Sequence, residues 1–173
     1  MADKIDVPNV MTPKFRVSFP NVFRPGKPVD PTKAGKYSVT MLFDKDANLE
    51  PLKKAMVDFM TKKFGPNQAS WPKLSRNPFR DQGEKTFEGY VAGAKFINAT
   101  SNTKPGLVDA QNNDIINEAE FYPGCYARAT VRPFWYDTAG NKGVAFGLQN
   151  IQKLADGEPL GGRVSASKEF EPV

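Results

Sequence analysis

Residues 121–136, FYPGCYARATVRPFWY, sort by parity: Tyr126, Arg128, Thr130, Arg132, Phe134 and Tyr136 alternate with Cys125, Ala127, Ala129, Val131, Pro133 and Trp135. A strand sends successive side chains to opposite faces. The second set, small or apolar, therefore belongs to a core, and the first, cations interleaved with rings, faces water. Such a face has the chemistry to neutralise phosphates and stack bases. A plainer alternative is an exposed strand whose arginines keep it soluble and whose rings suit a pleated surface.

On the C-terminal side, DTAGNKG (137–143) is a polar turn into VAFGLQNIQKL (144–154), where Val144, Phe146 and Leu148 share a parity. These two strands should form a hairpin. Working back, GYVAGAKFINA (89–99) fits a third strand whose small residues permit tight curvature or close backbone approach. KFRVSF (14–19) places Phe15, Val17 and Phe19 on one face and is ended by Pro20, and KYSVTMLF (36–43) alternates likewise. Between these two, PGKPVDPTKAGK (25–36) reads as an exposed loop.

The period changes after Asp44. Leu49, Leu52, Ala55, Met56, Phe59, Met60 and Phe64 recur at helical spacing, with Asp46 or Asn48 as cap, Pro51 in the first turn and Gly65-Pro66 as a stop. One amphipathic helix over about residues 47–64 results, its apolar stripe suited to covering a sheet. Residues 65–88 lack periodicity and read as a long loop in which Trp71, Arg76 and Arg80 could grip a strand of nucleic acid. The competing role is that Trp71 and Phe79 pin the loop to the core. Residues 100–120 carry Asp109, Asp114, Glu118 and Glu120 against Lys104 alone, an acidic patch outside any phosphate-binding surface.

The chain has 173 residues, with 24 Lys plus Arg against 19 Asp plus Glu, enough for one substantial core and a mild preference for anionic partners. One cysteine, Cys125, cannot form an internal disulfide and reads as a buried filler in a reducing compartment. The N-terminus lacks the apolar run of a signal peptide, and no window suits a membrane span, so an intracellular soluble protein is expected. Histidine is absent, which removes the commonest general base and zinc ligand.

Enzymatic alternatives fit poorly. A metal-dependent nuclease would have to use Asp109, Asp114, Glu118 and Glu120, whose surroundings read as polar turns with no repeated spacing. A phosphate loop fails because Lys36 is followed by Tyr37 and residue 30 is Asp. Cys125 has no histidine to activate it. A virion or scaffold protein that buries the same aromatic face against another subunit stays open, because interface cores share that composition.

FYPGCYARATVRPFWYD, KGVAFGLQNIQKLADGEPLGG and RVSFPNVF together resemble the bacteriophage single-stranded DNA-binding proteins of the OB-fold type, over about residues 10–165. The resemblance implies a mostly β fold: a five-stranded antiparallel OB-type barrel with one helix and long loops. A single domain would span residues 1–165, with 166–173 a flexible tail. It implies sequence-nonspecific coating of single strands in phage replication and recombination, in the host cytoplasm and without cofactor. Phosphates would be neutralised by Arg16, Lys36, Lys95, Arg128 and Arg132, and bases stacked on Tyr126, Phe134, Tyr136 and Tyr90. Phage or host replication and recombination proteins are the partners expected at the tail. Two features depart from the family pattern. The chain ends in Glu169, Phe170, Glu171, Pro172 and Val173 rather than a strongly acidic tail. Only two strands precede the helix where the usual small barrel has three, a count that a split of residues 14–24 at Pro20 would repair.

Overall fold

The computed structural model describes residues 7–28, 30–138, 140–160 and 170–173. Among the described residues, eight strands and one α-helix follow in the order β1 (Val10–Met11), β2 (Phe15–Asn21), β3 (Tyr37–Leu42), α1 (Glu50–Phe64), β4 (Arg80–Asp81), β5 (Lys95–Ser101), β6 (Gly106–Val108), β7 (Tyr126–Thr138) and β8 (Asn141–Ala155). Five of them, β7, β2, β3, β5 and β8, pair in a closed ring. Four seams are antiparallel as expected; the fifth, where β5 meets β8 at Ala99↔Phe146 and Thr100↔Gly147, is parallel. Closure removes the exposed edges that an open sheet of this size would carry.

The parity of residues 125–133 holds. Cys125, Ala127, Ala129 and Val131 are buried with Phe15, Val17, Val39, Met41, Ile97, Phe146 and Ile151 inside the ring, while their neighbours on β7 face outward. Small residues at 127, 129 and 99 leave room for Phe15, Phe43 and Phe146, so large and small side chains interlock in a narrow barrel. Burial pushes the Cys125 thiol up, which suits a filler rather than a nucleophile.

The register slips at three places, Tyr126–Ala127 and Thr130–Val131 of the β7–β8 pair and Ser18–Asn21 of β2, and the last two bear on the buried pattern. Between Thr130 and Val131 the register on β8 slips from Asn150 to Leu148, so Gln149 is extra and the buried position after Leu148 is Ile151. On β2 the three steps from Ser18 to Asn21 face only two on β3, from Thr40 to Ser38. Pro20 does not end this strand, nor does it split it into two pairing segments. The extra residue instead turns Phe19 outward, with half its surface in water, against the expectation that it shares the buried face of Phe15 and Val17.

With the strand count unrepaired, α1 falls between the second and third ring strands, β3 and β5, and packs against β1 and β7. It begins three residues later than expected, with the Asn48 side chain accepting from the Glu50 N–H at 3.2 Å and Pro51 in the first turn; Gly65 ends it at φ +93°. Phe59 and Met60 join Val7 and Val144 in a satellite core that Phe64, Trp71 and Trp135 cover. The third expected strand starts late as well: residues 89–94 are turns, with Gly89 and Gly93 at positive φ, and β5 begins at Lys95.

Residues 65–88 are ordered by contacts with the barrel. Phe79 is buried and meets Phe146 edge to face at 5.8 Å. The Ser75 N–H donates to the Lys142 carbonyl at 2.8 Å and the Lys142 N–H returns a bond to Ser75 Oγ. Of the tail, Phe170–Val173 are exposed and without regular structure, whereas residues 166–169 lie outside the described residues.

Candidate nucleic-acid interface

One row of outward positions crosses the barrel wall from strand to strand: Arg132 of β7 faces Gly147 of β8, Gly147 faces Thr100 of β5, Thr100 faces Ser38 of β3, and Ser38 faces Asn21 of β2. Because the β8 position is glycine, the floor there is flat. A trough of about 620 Å³ lies over the β2–β3 end, lined by Asn21, Lys27, Lys33, Lys36, Ser38 and Thr100. A hollow of about 260 Å³ continues it past the same Lys36 and Thr100 to Phe134, Gly147 and Gln149. Asp30 also lines the trough; its carboxylate accepts the N–H and hydroxyl of Thr32, which hold it below its ordinary range. Phe134 is 36% exposed beside this path, a ring open to a planar ligand.

A second groove, of about 230 Å³, lies toward the start of β2 and β7, where Arg16 and Tyr126 stand opposite one another and Asp44, Lys45 and Val91 are among the other wall residues. Lys14 Nζ and the Arg16 guanidinium lie 5.3 and 6.0 Å from the centre of the Tyr126 ring. The YPGCY turn makes this possible. Gly124, at φ +108°, brings the backbone so close to Glu158 that a Cβ would collide, and Arg16 donates to the carbonyls of both residues, 3.2 Å to Gly124 and 2.5 Å to Glu158.

Electrostatics sort the expected cations. Arg16, Arg128 and Arg132 are held by neutral acceptors: carbonyls for the first, Gln152 Oε1 at 2.8 Å for the second and Asn9 Oδ1 at 3.0 Å for the third. Among the described residues no carboxylate pairs with them or with Lys36, so their charge is free for a polyanion. Arg128 has a further tie. Its partner Gln152 donates to the carbonyls of Asp109 and Ala110, which fastens the 109–112 turn onto β8.

Other expected residues sit elsewhere. Lys95 stands at the barrel end opposite Asp81, whose carboxylate its charge helps to keep ionised. Arg80 is engaged by Glu84, at 2.7 and 3.1 Å, and covers the Phe96 ring. Trp71 packs into the satellite core and donates Nε1–H to the Gly65 carbonyl at 2.8 Å. Arg76 is exposed on the loop beyond Ser75, and Tyr136 lies across Gly143, away from the trough. Two of the four acidic candidates are occupied locally. Asp109 accepts the N–H groups of Gln111 and Asn113, and Glu118 pairs with Arg24 at 2.6 Å.

Lys27 and Lys33 were not singled out in the sequence, although their loop already displayed three lysines among prolines. Phe19 and Phe87 were missed too. Their rings meet edge to face at 5.0 Å, Phe87 meets Tyr90 at 5.5 Å, and Tyr90 meets Phe96 at 6.0 Å. Tyr90 shares a 2.9 Å hydrogen bond with Ser18 Oγ, and burial pushes its phenol up. No periodicity could reveal this group, because a bulge supplies one ring and an irregular turn the other.

Residues 8–173 match the sequence profile of the single-stranded DNA-binding protein of Enterobacter phage Enc34. The chain belongs to this family. Its members are DNA-binding proteins without enzymatic activity, and single-strand binding is the function that membership brings to this phage protein. Protein p50 of Acyrthosiphon pisum secondary endosymbiont phage 1 is 30% identical over 168 residues, 91% of this chain and 90% of that one. Among solved structures, the fold is similar to the Enc34 protein in complex with single-stranded DNA, with a TM-score of 0.69 at 22% identity over 88% of this chain and 89% of that chain. It is also similar to gp2.5, the single-stranded DNA-binding protein of bacteriophage T7, with a TM-score of 0.62 at 12% identity over 95% and 98% of the two chains.

Proposed function

We propose that the protein coats single-stranded DNA during phage replication and recombination in the cytoplasm of the infected bacterium, holding the strand in the Lys36 trough and the hollow beside Phe134. The observation that carries this reading is the unbroken row Arg132, Gly147, Thr100, Ser38, Asn21, flanked by cations without carboxylate partners among the described residues and by one open ring. Phosphates would meet Lys27, Lys33, Lys36 and Arg132; a base would stack on Phe134. Arg16 and Tyr126 offer the same pair of functions in the second groove. None of these groups reads base identity, since lysine and arginine contact phosphate and a ring accepts any base. Contact with replication and recombination proteins is assigned to the C-terminal tail, whose Phe170 is 70% exposed.

The test is a titration of oligo-deoxythymidine and mixed-sequence single strands at several salt concentrations, with sedimentation of the free protein alongside. Tight binding at low salt that collapses at high salt, with little dependence on sequence, supports the reading. Concentration-dependent self-association without retention of DNA would favour a subunit interface on the same face and contradict it.

A further inference from the structure

The aromatic group over Ser18 separates the two cationic grooves. Along β2 the outward residues run Arg16, Ser18, Phe19, Asn21, and along β3 their partners run Leu42, Thr40, Ser38. Arg16 and Leu42 line the first groove, Asn21 and Ser38 the trough, and Phe19 lies between. We propose that Phe19 and Phe87 form a stacking step that joins the two grooves into one track, so that a single strand crosses the barrel wall on stacked bases. This inference rests on the trough being the single-strand site.

Three features carry it. Phe19 and Phe87 are 51% and 50% exposed although each touches another ring, so the pair keeps an apolar surface in water that a core would have covered. Phe19 also holds φ at +45°, in the left-handed region that bulky residues avoid. The bulge that imposes this conformation turns the ring outward, where packing within the chain returns little for it. The step is also rigidly supported. Tyr90 is fixed between Ser18, Phe87 and Phe96, and the N–H of Val91 donates to the buried Gln82 Oε1 at 2.8 Å. The side-chain nitrogen of Gln82 donates in turn to the carbonyls of Phe43 and Lys95, each at 2.8 Å. A platform ordered before the ligand arrives loses little entropy on binding. Among the described residues no cation lies over either ring, so its contribution is a stacking one with no salt dependence.

The experiment uses Phe19→Asn and Phe87→Ala, singly and together, with oligo-deoxythymidine of about 4 and about 12 nucleotides, lengths within the footprint of one OB fold. Asparagine tolerates positive φ, so Phe19→Asn should melt no lower than the parent, whereas loss of a merely structural ring would lower the melting temperature. The folded double variant should bind the longer strand about tenfold or more weakly at an unchanged salt slope, with a smaller loss on the short strand, which one groove can hold. Parental affinity for the longer strand would overturn the step. An equal loss on both lengths would place the rings inside one groove and overturn the crossing. Failure of the parent to bind either strand would remove the trough reading itself, a result distinguishable from the others.

Discussion

Phe134 lines the hollow that continues the trough and Arg132 faces Gly147 beside it, and the two side chains should fail differently when removed. Phe134→Ala deletes a stacking surface worth about 1–3 kcal/mol per base, so the affinity for oligo-deoxythymidine should fall about tenfold while the slope of log affinity against log salt stays put. A fluorescence titration at three salt concentrations measures both quantities; a changed slope with little loss of affinity would assign Phe134 another role. Arg128 illustrates what alternation can and cannot supply. It placed Arg128 and Arg132 on one wall, correctly, but was silent on partners, and only Arg128 is bound into the Gln152 network that holds the 109–112 turn. Parity follows from local backbone geometry, whereas a partner 24 residues away depends on register, which bulges alter.

The elements that escaped the sequence are those whose order comes from side chain to backbone bonds rather than from periodic burial. Residues 79–94 are the main case. Asp81 accepts the N–H groups of Gly83 at 2.7 Å and Gly93 at 3.0 Å, tying together the two ends of the turn that carries Phe87 and Tyr90. The Gly83 bond, then the Gly93 bond, favours the carboxylate and lowers its pKa below the ordinary 3.8. A depressed pKa gives an anchor that is fully present above the ordinary value and is lost as pH falls through the depressed one. The amide resonances of Gly83 and Gly93 should therefore shift together with a midpoint below 3.8; a midpoint above it would contradict the anchoring. Trp71 makes the complementary case on the preceding segment. Trp71→Ala should cost about 2 kcal/mol in urea denaturation, toward the low end for a large-to-small change because the ring is only half-buried, and leave single-strand affinity of the folded protein unchanged. A loss of affinity without a loss of stability would return Trp71 to the interface.

For the molecule as a whole, the strand-rich character, the helix and the final hairpin were legible because each repeats a period over many residues. Closure of the ring was not. The parallel seam between β5 and β8 joins segments about fifty residues apart, and only the family resemblance implied that the strands form a barrel. Closure brings Lys36 from before β3, Thr100 from β5 and Phe134 from β7 to one wall, with no acidic side chain among the described residues paired to the lysine. Within the acidic segment, Asp109 accepts backbone N–H groups of its own turn and Glu118 pairs with Arg24. The salt dependence of single-strand binding in a Lys36→Ala, Arg132→Ala double variant tests this arrangement most directly. Each lost phosphate contact should reduce the slope of log affinity against log salt by about 0.7, so the folded double variant should show a slope shallower by about 1.4 and weaker binding at low salt. A folded variant with the parental slope and affinity would show that the strand does not lie in the trough.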